Sequence, residues 1–521
     1  MTNPSTLYRG GVLHCPADPS ATALLVSGGR ITWLGTDGDA PSADRVVDLD
    51  GALVTPAFVD AHVHATDTGL ALSGLELSAV RSAAQLLDAV AGFAAGLPAD
   101  AVVLGHGWDE SGWSDSSLPD AAALDRAAGG RRVYLSQASI HSALVSSALL
   151  AACPQAADAA GYDASGWLRR DAHHVVRAAA QGSVSRAQRV AAQRVALSHA
   201  ASLGIAAVHE CGGPEISDEE DFTGLLGISG AGVPEVYGYW GELGGAARAR
   251  ELGAVGAGGD LFADGALGSR TAHLSQAYGD GDGCGHGYLT AEQVRDHLLD
   301  CAAHGMQGGF HAIGDAAIGT VLDGFAAAAA TVGVERLRAA RHRIEHAEIM
   351  NRRLIARFVE YGVVASMQPA FDRLWGGAGR MYESRLGLDR SLESNPMGAM
   401  HSVGVALAFG SDSPVTPLDP WGSVRAAVAH HNPAQRMSVR AAFAAHTRGG
   451  WRAVHLDVEG VLALGAPATF AVWSTPAGVD RGLPVLLAED PELRGPDDPT
   501  PLPACRRLVL RGEVIYEEGS S

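Results

Sequence analysis

The chain has 521 residues, of which 47% are hydrophobic and 18% are charged, and its formal net charge at pH 7 is −20. This length and apolar content suffice for a large core, built either as one α/β barrel or as two or three domains. The negative charge argues against nucleic-acid binding and leaves no basic patch for a membrane surface, so we expect neither kind of partner.

The N-terminus and the cysteines indicate a soluble, cytoplasmic protein. The first residues, MTNPSTLYRGG, lack the basic segment followed by an apolar segment that marks a signal peptide. No stretch is expected to reach the roughly 18 apolar residues that a membrane span needs. The six cysteines contain no CxxC pair, which fits reduced thiols better than a disulfide framework.

Both ends of the chain show short strand patterns separated by Asp, Gly and Pro turns. Residues 1–55 include LYRGGVLHC and ATALLVSGGRITWLG, and residues 456–521 include GVLALGAPATFAVWS and RLVLRGEVIYEE. The most economical prediction is one small β-sandwich that is built from both termini and flanks a central domain at 56–455.

The central domain alternates apolar strand patterns with helical stretches rich in Ala and Leu. This rhythm is typical of an α/β fold, and eight such strands predict a TIM-like (β/α)8 barrel. Active sites of that fold lie at the carboxyl ends of the strands. The eight candidates are ALVTPAFVDAHVH and then residues 204–211, 233–241, 259–265, 308–314, 342–348, 363–369 and 405–412.

Residues 66–200 break this rhythm and form a long insertion between the first and second strands. An insertion at the carboxyl end of a barrel often serves as a lid or as a wall of the substrate pocket. Two of its side chains, Trp108 and His141, are candidates for lining that pocket, although packing explains them at least as well.

Five residues of metal-binding type come at the ends of predicted barrel strands. His62 and His64 stand two apart on the first strand, so their side chains point the same way. His311, His346 and Asp412 end the fifth, sixth and eighth strands. Zinc accepts imidazole nitrogen and carboxylate oxygen, and catalytic zinc sites keep one position open for water. The pattern therefore predicts a divalent metal site, with zinc as the first choice.

The same segments carry a family resemblance. DAHVHA, FADGALGSRTA, HAIGD, RIEHAE, SMQP and GSDSPV resemble the amidohydrolase superfamily, in particular the amidohydrolase-3 or YtcJ-like group, which includes N-substituted formamide deformylase. The resemblance spans roughly residues 50–475. It implies a barrel with a β-sandwich from both termini, the five metal-site residues above, and hydrolysis of a non-peptide carbon–nitrogen bond.

One departure from the family pattern concerns the fourth strand, where relatives commonly read KLFADG and this chain reads DLFADG. In two-metal members a carboxylated lysine of that strand bridges the ions, but this chain has no lysine, because all 38 of its basic residues are Arg. Asp260 is several bonds shorter than a carboxylated lysine, so we expect it not to reach two ions.

Three arrangements are compatible with this departure. In the favoured one, a single ion is held by His62, His64, His311 and Asp412, and His346 contacts the water or the substrate. In the second, another residue bridges two ions, with Glu210, Cys211 and Asp264 as candidates. In the third, the site is degraded.

The predicted function is hydrolysis of an amide, formamide or cyclic amide of a small molecule. Asp412 is the candidate general base and acid, and His346 is the candidate donor to the developing oxyanion. Arg270 and Gln368 are weaker candidates for substrate binding. A deaminase, decarboxylase or isomerase on the same scaffold and a silent barrel used for binding are the alternatives, because fold does not fix chemistry. The resemblance also implies a possible homodimer.

Overall fold

A computed structural model describes residues 4–113, 117–138 and 142–519 of the chain. The chain divides into two compact units. One unit combines Met1–His64 with Leu197–Ser521, and the other is Ala65–Ala196.

The centre of the first unit is a nearly closed barrel of eight parallel strands, which confirms the predicted (β/α)8 fold. Each strand pairs with the next one in the chain, and most of their residues are buried. The ring is completed where Val63 of the first strand bridges to Ser413, just after the eighth. In order, the strands are Phe58–Val63, Ile205–Gly212, Glu235–Trp240, Gly256–Ala257, Gln307–Ala312, Arg343–His346, Val364–Met367 and Ala406–Phe409.

The fourth barrel strand differs from the prediction, since it is the short segment Gly256–Ala257 rather than 259–265. Gly258, with φ of +146°, ends it at a point where a Cβ would lie 2.2 Å from the backbone nitrogen of Gly309, so only glycine fits there. The next residues therefore leave the sheet, and only Phe262 bridges back, to His311. Asp260 consequently lies just beyond the carboxyl end of the fourth strand.

Helices follow most of the barrel strands and form its outer layer. Local sequence explains their limits: Ala291–His304, for example, begins at the capping box of Thr290 and Gln293 and ends at Gly305, whose φ is +67°. The α-helices of this unit are Glu219–Gly227, Ala246–Glu251, Ala291–His304, Asp315–Val332, Val334–Ala340, Arg352–Tyr361, Pro369–Trp375, Met381–Leu386, Leu388–Glu393, Met397–Ser402, Pro420–Val428, Val439–Ala445 and Arg448–Ala453.

Among the described residues, one helix has the length and composition of a membrane span, contrary to expectation. It is Asp315–Val332, with a mean hydropathy of 1.3 over 18 residues. Its apolar face packs inside the unit, where Val321 and Phe325 are fully buried. A Cβ on Gly324 would lie 2.4 Å from Val294 Cγ1, so glycine permits close packing against the preceding helix.

The terminal segments of the first unit form two further sheets. One contains Arg30–Gly35, Ala23–Ser27, Ser5–Arg9 and Arg45–Asp48, in that spatial order. The other combines both termini in the order Val12–Leu13, Leu53–Pro56, Phe470–Ser474, Ala504–Leu510 and Glu513–Glu517. Residues of both sheets, including Tyr8, Leu24, Ile31, Phe470 and Val509, share one apolar cluster. That these sheets form a β-sandwich stays a prediction. A small hairpin pairs Val479–Asp480 with Leu483–Pro484.

The second unit has its own mixed five-stranded sheet and its own apolar core. The sheet order is Trp167–Arg169, Ser142–Val145, Val133–Gln137, Val103–Trp108 and Leu75–Glu76. Its helices are Ala65–Ser73, Ala83–Ala95, Ala121–Ala127, Ser147–Ala152 and Arg170–Gly182, and Arg186–Ser202 runs across the unit boundary. The prediction that the insertion acts as a lid or substrate wall stays a prediction.

Candidate metal centre

The first barrel strand carries two imidazoles toward the carboxylate of Asp412. His62 lies within this fully buried strand and His64 follows it directly. The Nε2 atoms of His62 and His64 lie 3.4 and 3.2 Å from Asp412 Oδ1. The end of the eighth strand is held here because the backbone N–H of Asp412 donates to the carbonyl of His62 at 2.8 Å.

Asp260 lies in the middle of the group, with one carboxylate oxygen toward each pair of imidazoles. That it does not reach two ions stays a prediction. Its Oδ2 lies 3.4 Å from His62 Nε2 and 3.2 Å from His64 Nε2. Its Oδ1 faces the other way and lies 3.5 Å from His311 Nδ1 and 3.7 Å from His346 Nε2. Asp260 lies just past the carboxyl end of the fourth strand, which ends at Ala257.

The separations within this group match those of metal ligands. Ligands about 2.0–2.1 Å from a tetrahedral ion lie about 3.3–3.4 Å from each other. His62 Nε2, Asp260 Oδ1 and His311 Nδ1 are buried and make no hydrogen bond within the described residues. Buried polar atoms normally have partners, so atoms that face one another without hydrogen bonds indicate a shared cation. The donor set therefore fits a divalent metal.

The electrostatics of the group also favour a cation. Burial acts to lower the pKa of His64, but the facing carboxylates of Asp260 and Asp412 outweigh it and hold that pKa well above 6.5. Burial acts to raise the pKa of Asp260, but the surrounding imidazoles, His62 first, lower it well below 3.8. Both carboxylates thus recruit positive charge, as protons on the rings or as a metal ion that replaces them.

Two residues of the centre have left-handed backbones. The φ angles of His346 and Asp412 are +69° and +57°, which is uncommon for residues with a Cβ. His346 is the last residue of the sixth strand, and Asp412 lies three residues past the end of the eighth, at Phe409. Such conformations cost roughly 1–3 kcal/mol and cluster at functional sites.

A buried ion pair beneath the centre is not among the residues predicted from the sequence. Glu345 Oε2 lies 2.9 Å from His62 Nδ1, and the Arg343 guanidinium binds both oxygens of Glu345. All three side chains are fully buried. A usable signal was present in RIEH, because two opposite charges two residues apart on a buried strand face the same side and must be paired.

The alternative bridging candidates lie in other environments. Asp264 accepts backbone N–H groups of His273, Ile313 and Gly314 at 2.8–2.9 Å, and so ties the loop after the fourth strand to the turn after the fifth. Cys211 groups with His62 and Glu345. Glu210 is the preceding residue on the strand and therefore points to the other face. Neither Glu210 nor Asp264 belongs to a metal-type group within the described residues.

The weaker candidates for substrate binding are dispersed. Arg270 makes two hydrogen bonds to Asp280, at 3.0 and 2.8 Å, on an exposed loop. Gln368 is buried, and its Oε1 accepts from His346 Nδ1 at 2.8 Å. Trp108 is fully buried in the second unit and donates to the carbonyl of Leu135. His141 lies outside the described residues. Substrate contacts of these four stay predictions.

Comparison with known families agrees with this constellation. The profile of the amidohydrolase family matches residues 45–516. The chain therefore belongs to the amidohydrolase family, and the resemblance to its amidohydrolase-3 group is confirmed.

Individual relatives are more distant. A Bacillus subtilis (strain 168) protein that carries the name amidohydrolase YtcJ is 27% identical over 275 residues, which are 50% of this chain and 46% of that protein. The Arabidopsis thaliana protein LONG AFTER FAR-RED 3 is 34% identical over 225 residues, 41% of this chain and 38% of that protein. The matched segments thus span less than half of these two relatives.

Solved structures share the fold. An uncharacterized metal-dependent hydrolase from Pyrococcus furiosus superposes with a TM-score of 0.74 at 24% identity and covers 90% of this chain and 98% of its own. A second one, from Pyrococcus horikoshii OT3, gives a TM-score of 0.73 at 22% identity and covers 90% and 97%.

Proposed function

We propose that this chain is a metal-dependent hydrolase that cleaves a non-peptide carbon–nitrogen bond of a small molecule, in an amide, formamide or cyclic amide. The observation that carries the proposal is the pair of carboxylates, Asp260 and Asp412, set among four imidazoles at ligand-like separations. Its location at the carboxyl ends of barrel strands is where enzymes of this fold keep their active sites.

The chemistry divides between an ion and the side chains. A bound divalent ion supplies Lewis acidity and lowers the pKa of water toward about 7. Asp412 is placed to accept the proton of the attacking water and to pass it to the leaving nitrogen. Its left-handed backbone holds the carboxylate at the edge of the centre, where Oδ1 faces both imidazoles of the first strand.

The hydrogen bond of His346 favours one of its two predicted roles. His346 Nδ1 lies 2.8 Å from the amide oxygen of Gln368 and donates to it, because an amide oxygen only accepts. The other ring nitrogen, Nε2, faces Asp260. That arrangement suits a metal ligand better than a donor to an oxyanion.

Zinc is the proposed metal because imidazole and carboxylate are its ordinary ligands. The missing lysine favours one ion, whereas the central carboxylate of Asp260 offers a second position. We propose one tightly held ion at His62, His64 and Asp412, with the carboxylate of Asp260 beside them. We also propose a cytoplasmic location, from the sequence, and a homodimer, from the family resemblance.

A panel of N-formyl and N-acyl amines, assayed with and without chelator, tests the function. We expect turnover that chelation removes and added zinc restores, with release of an amine. Release of ammonia from an amino-substituted ring would point to a deaminase instead. A protein that is folded and loaded with metal but inert on the whole panel would contradict the proposed bond class and support the silent barrel.

A further inference from the structure

We propose that Tyr288 binds a neutral polar group of the substrate, at a distance from the bond that is cleaved. The substrate class that follows is a small amide that carries a hydroxyl or a second amide, rather than a carboxylate, several bonds from its reactive carbonyl. This inference deepens the proposed function and rests on it, because it concerns the surroundings of the same metal centre.

Backbone hydrogen bonds place Tyr288 on the His311 side of the metal centre. The N–H of Tyr288 donates to the carbonyl of Ala263 at 2.8 Å, and the N–H of Ala263 donates to the carbonyl of His311 at 2.8 Å. The loop after the fourth strand therefore ends against the same segment that bridges to the fifth strand through Phe262. These contacts give the backbone of Tyr288 one defined place beside the centre.

The side chain of Tyr288 is directed toward the residue that contacts the His311 ring. A Cβ added to Gly265 would lie 3.0 Å from the Tyr288 hydroxyl oxygen, and the carbonyl oxygen of Gly265 lies 3.2 Å from His311 Nε2. With ordinary bond lengths in the peptide unit, these two contacts put the hydroxyl within about 10 Å of the imidazole. A small-molecule substrate can span that distance.

The hydroxyl of Tyr288 is free to bind a ligand. It makes no hydrogen bond within the part of the chain that the structure describes. Tyr288 is 46% exposed, and its ring lies beside that of His286, at 5.8 Å between centroids. A tyrosine placed in this way offers a ligand an apolar ring and a polar end together.

Other hydroxyls of the same loop are used within it. Tyr278 is buried and donates to the carbonyl of Ala272 at 2.8 Å. Thr271 Oγ1 accepts the N–H of Ala266 at 3.0 Å. The fold of the loop therefore depends on these two hydroxyls and not on that of Tyr288, which is left for a group from outside the chain.

The charges of the loop favour a neutral partner for Tyr288. The one arginine of the loop, Arg270, makes two hydrogen bonds to Asp280, at 3.0 and 2.8 Å, and Arg385 binds the same carboxylate. A carboxylate on the substrate would thus meet no free guanidinium in this loop, all of which lies in the described range 142–519. A hydroxyl or an amide can instead both donate to and accept from a phenol.

Calorimetric binding to the zinc-loaded full chain tests this inference without an activity assay. The probes are straight-chain hydroxamic acids of about four to seven carbons, since a hydroxamate binds zinc through its oxygens and the carbon chain then extends about 5–9 Å. Each acid is compared with the same acid that carries a terminal hydroxyl. At the best chain length, we expect the hydroxyl to lower Kd by about 3- to 10-fold, the effect of one neutral hydrogen bond.

Tyr288→Phe should remove this gain and leave the Kd of the plain acids unchanged, because only the hydroxyl is lost. Tyr278→Phe is the matched control from the same loop. Since its hydroxyl binds within the loop, this control should keep the gain and lower only the melting temperature. Bound zinc per chain, measured by plasma mass spectrometry, should be equal in the three proteins.

Three results would overturn the inference and leave the proposed function standing. The first is no gain from the terminal hydroxyl at any chain length, and the second is an equal gain in the native chain and in Tyr288→Phe. The third is a lower Kd for a terminal carboxylate than for the hydroxyl. Failure of the zinc-loaded native chain to bind any hydroxamate would instead contradict the proposed function, and the inference would fail with it.

Discussion

A histidine lies at each end of the sixth barrel strand, and the two histidines have different surroundings. His342 precedes the strand and His346 ends it, and both are buried. His342 Nδ1 accepts the backbone N–H of Gly308 at 2.7 Å, and burial lowers the pKa of His342 to about 3. His346 faces Asp260 at the opposite end. Position along the strand, rather than residue type or burial, thus separates a packing histidine from a site histidine.

Between these two histidines, the strand carries the buried ion pair of Arg343 and Glu345. Burial acts to raise the pKa of Glu345, but Arg343 and His62 outweigh it and lower that pKa to about 2. The ion pair is therefore charged at any working pH. If the comparison holds, changes at the carboxyl end should alter metal binding and turnover, and changes at the amino end should alter stability.

The largest expected effect is on turnover, from Asp412→Asn at the carboxyl end. The amide cannot accept the water proton, so kcat should fall by about 10²- to 10⁴-fold, the range for general acid–base groups. The unfolding midpoint in urea should stay close to native. Steady-state kinetics, bound metal and denaturation are measured on the same preparation. Near-native kcat would remove Asp412 from the proposed role.

A matched pair of aspartates four residues apart gives the next largest effect. Asp260→Asn should cost most of the bound metal, because it removes the carboxylate shared by four imidazoles. Asp264→Asn should keep the metal but lower the free energy of unfolding by about 3 kcal/mol, since charge-assisted bonds to three backbone N–H groups are weakened.

Metal content and urea denaturation measured on both proteins separate these outcomes. Loss of metal in Asp264→Asn with unchanged stability would reverse the assignment of the two aspartates.

The fold was predictable because a parallel barrel requires the same pattern of a buried apolar strand and a following helix at each repeat. Eight apolar segments and the helices between them fit a parallel barrel, and this barrel is observed. The predicted strand ends carry five residues of metal-binding type, and the structure brings all five to one centre: His62, His64, His311, His346 and Asp412.

The reach of Asp260 was not predictable from the same pattern. The sequence predicts residues 259–265 as the fourth strand, and its expectation for Asp260 rests on the length of the side chain alone. The strand ends at Ala257 instead, because Gly258 meets the backbone of Gly309. A close approach between two backbones depends on tertiary packing, and alternation of apolar residues does not encode it.

A third prediction concerns the pH dependence of stability at the amino end of the sixth barrel strand, where His342 lies. His342 has a folded-state pKa of about 3 against its usual 6.5, so the unfolded chain binds the proton more readily. Its contribution to stability is complete above pH 6.5 and decreases as pH falls toward 3. Between pH 6.5 and 5 the loss should be about 2 kcal/mol, at 1.36 kcal/mol per unit of pH.

His342→Asn should abolish this slope, because its amide oxygen can still accept from Gly308 but cannot be protonated. Urea denaturation at pH 7, 6 and 5 compares the two proteins. A constant offset between parallel curves would mean that His342 does not titrate on unfolding. Bound metal should stay the same in both proteins at pH 7.

The smallest expected effect concerns Arg270. Its substitution tests whether every polar residue near the carboxyl ends of the barrel strands belongs to the site. Its guanidinium is held by Asp280 on an exposed loop, and Arg385 binds the same carboxylate. Arg270→Ala and the control Arg385→Ala should therefore both leave KM and the unfolding midpoint near native, since exposed ion pairs contribute little. A rise in KM of about 10-fold or more in Arg270→Ala alone would show that this arginine leaves Asp280 to bind a charged substrate group. In that case the boundary of the site would lie beyond the metal-facing residues, and position at the strand end would not be sufficient to define it.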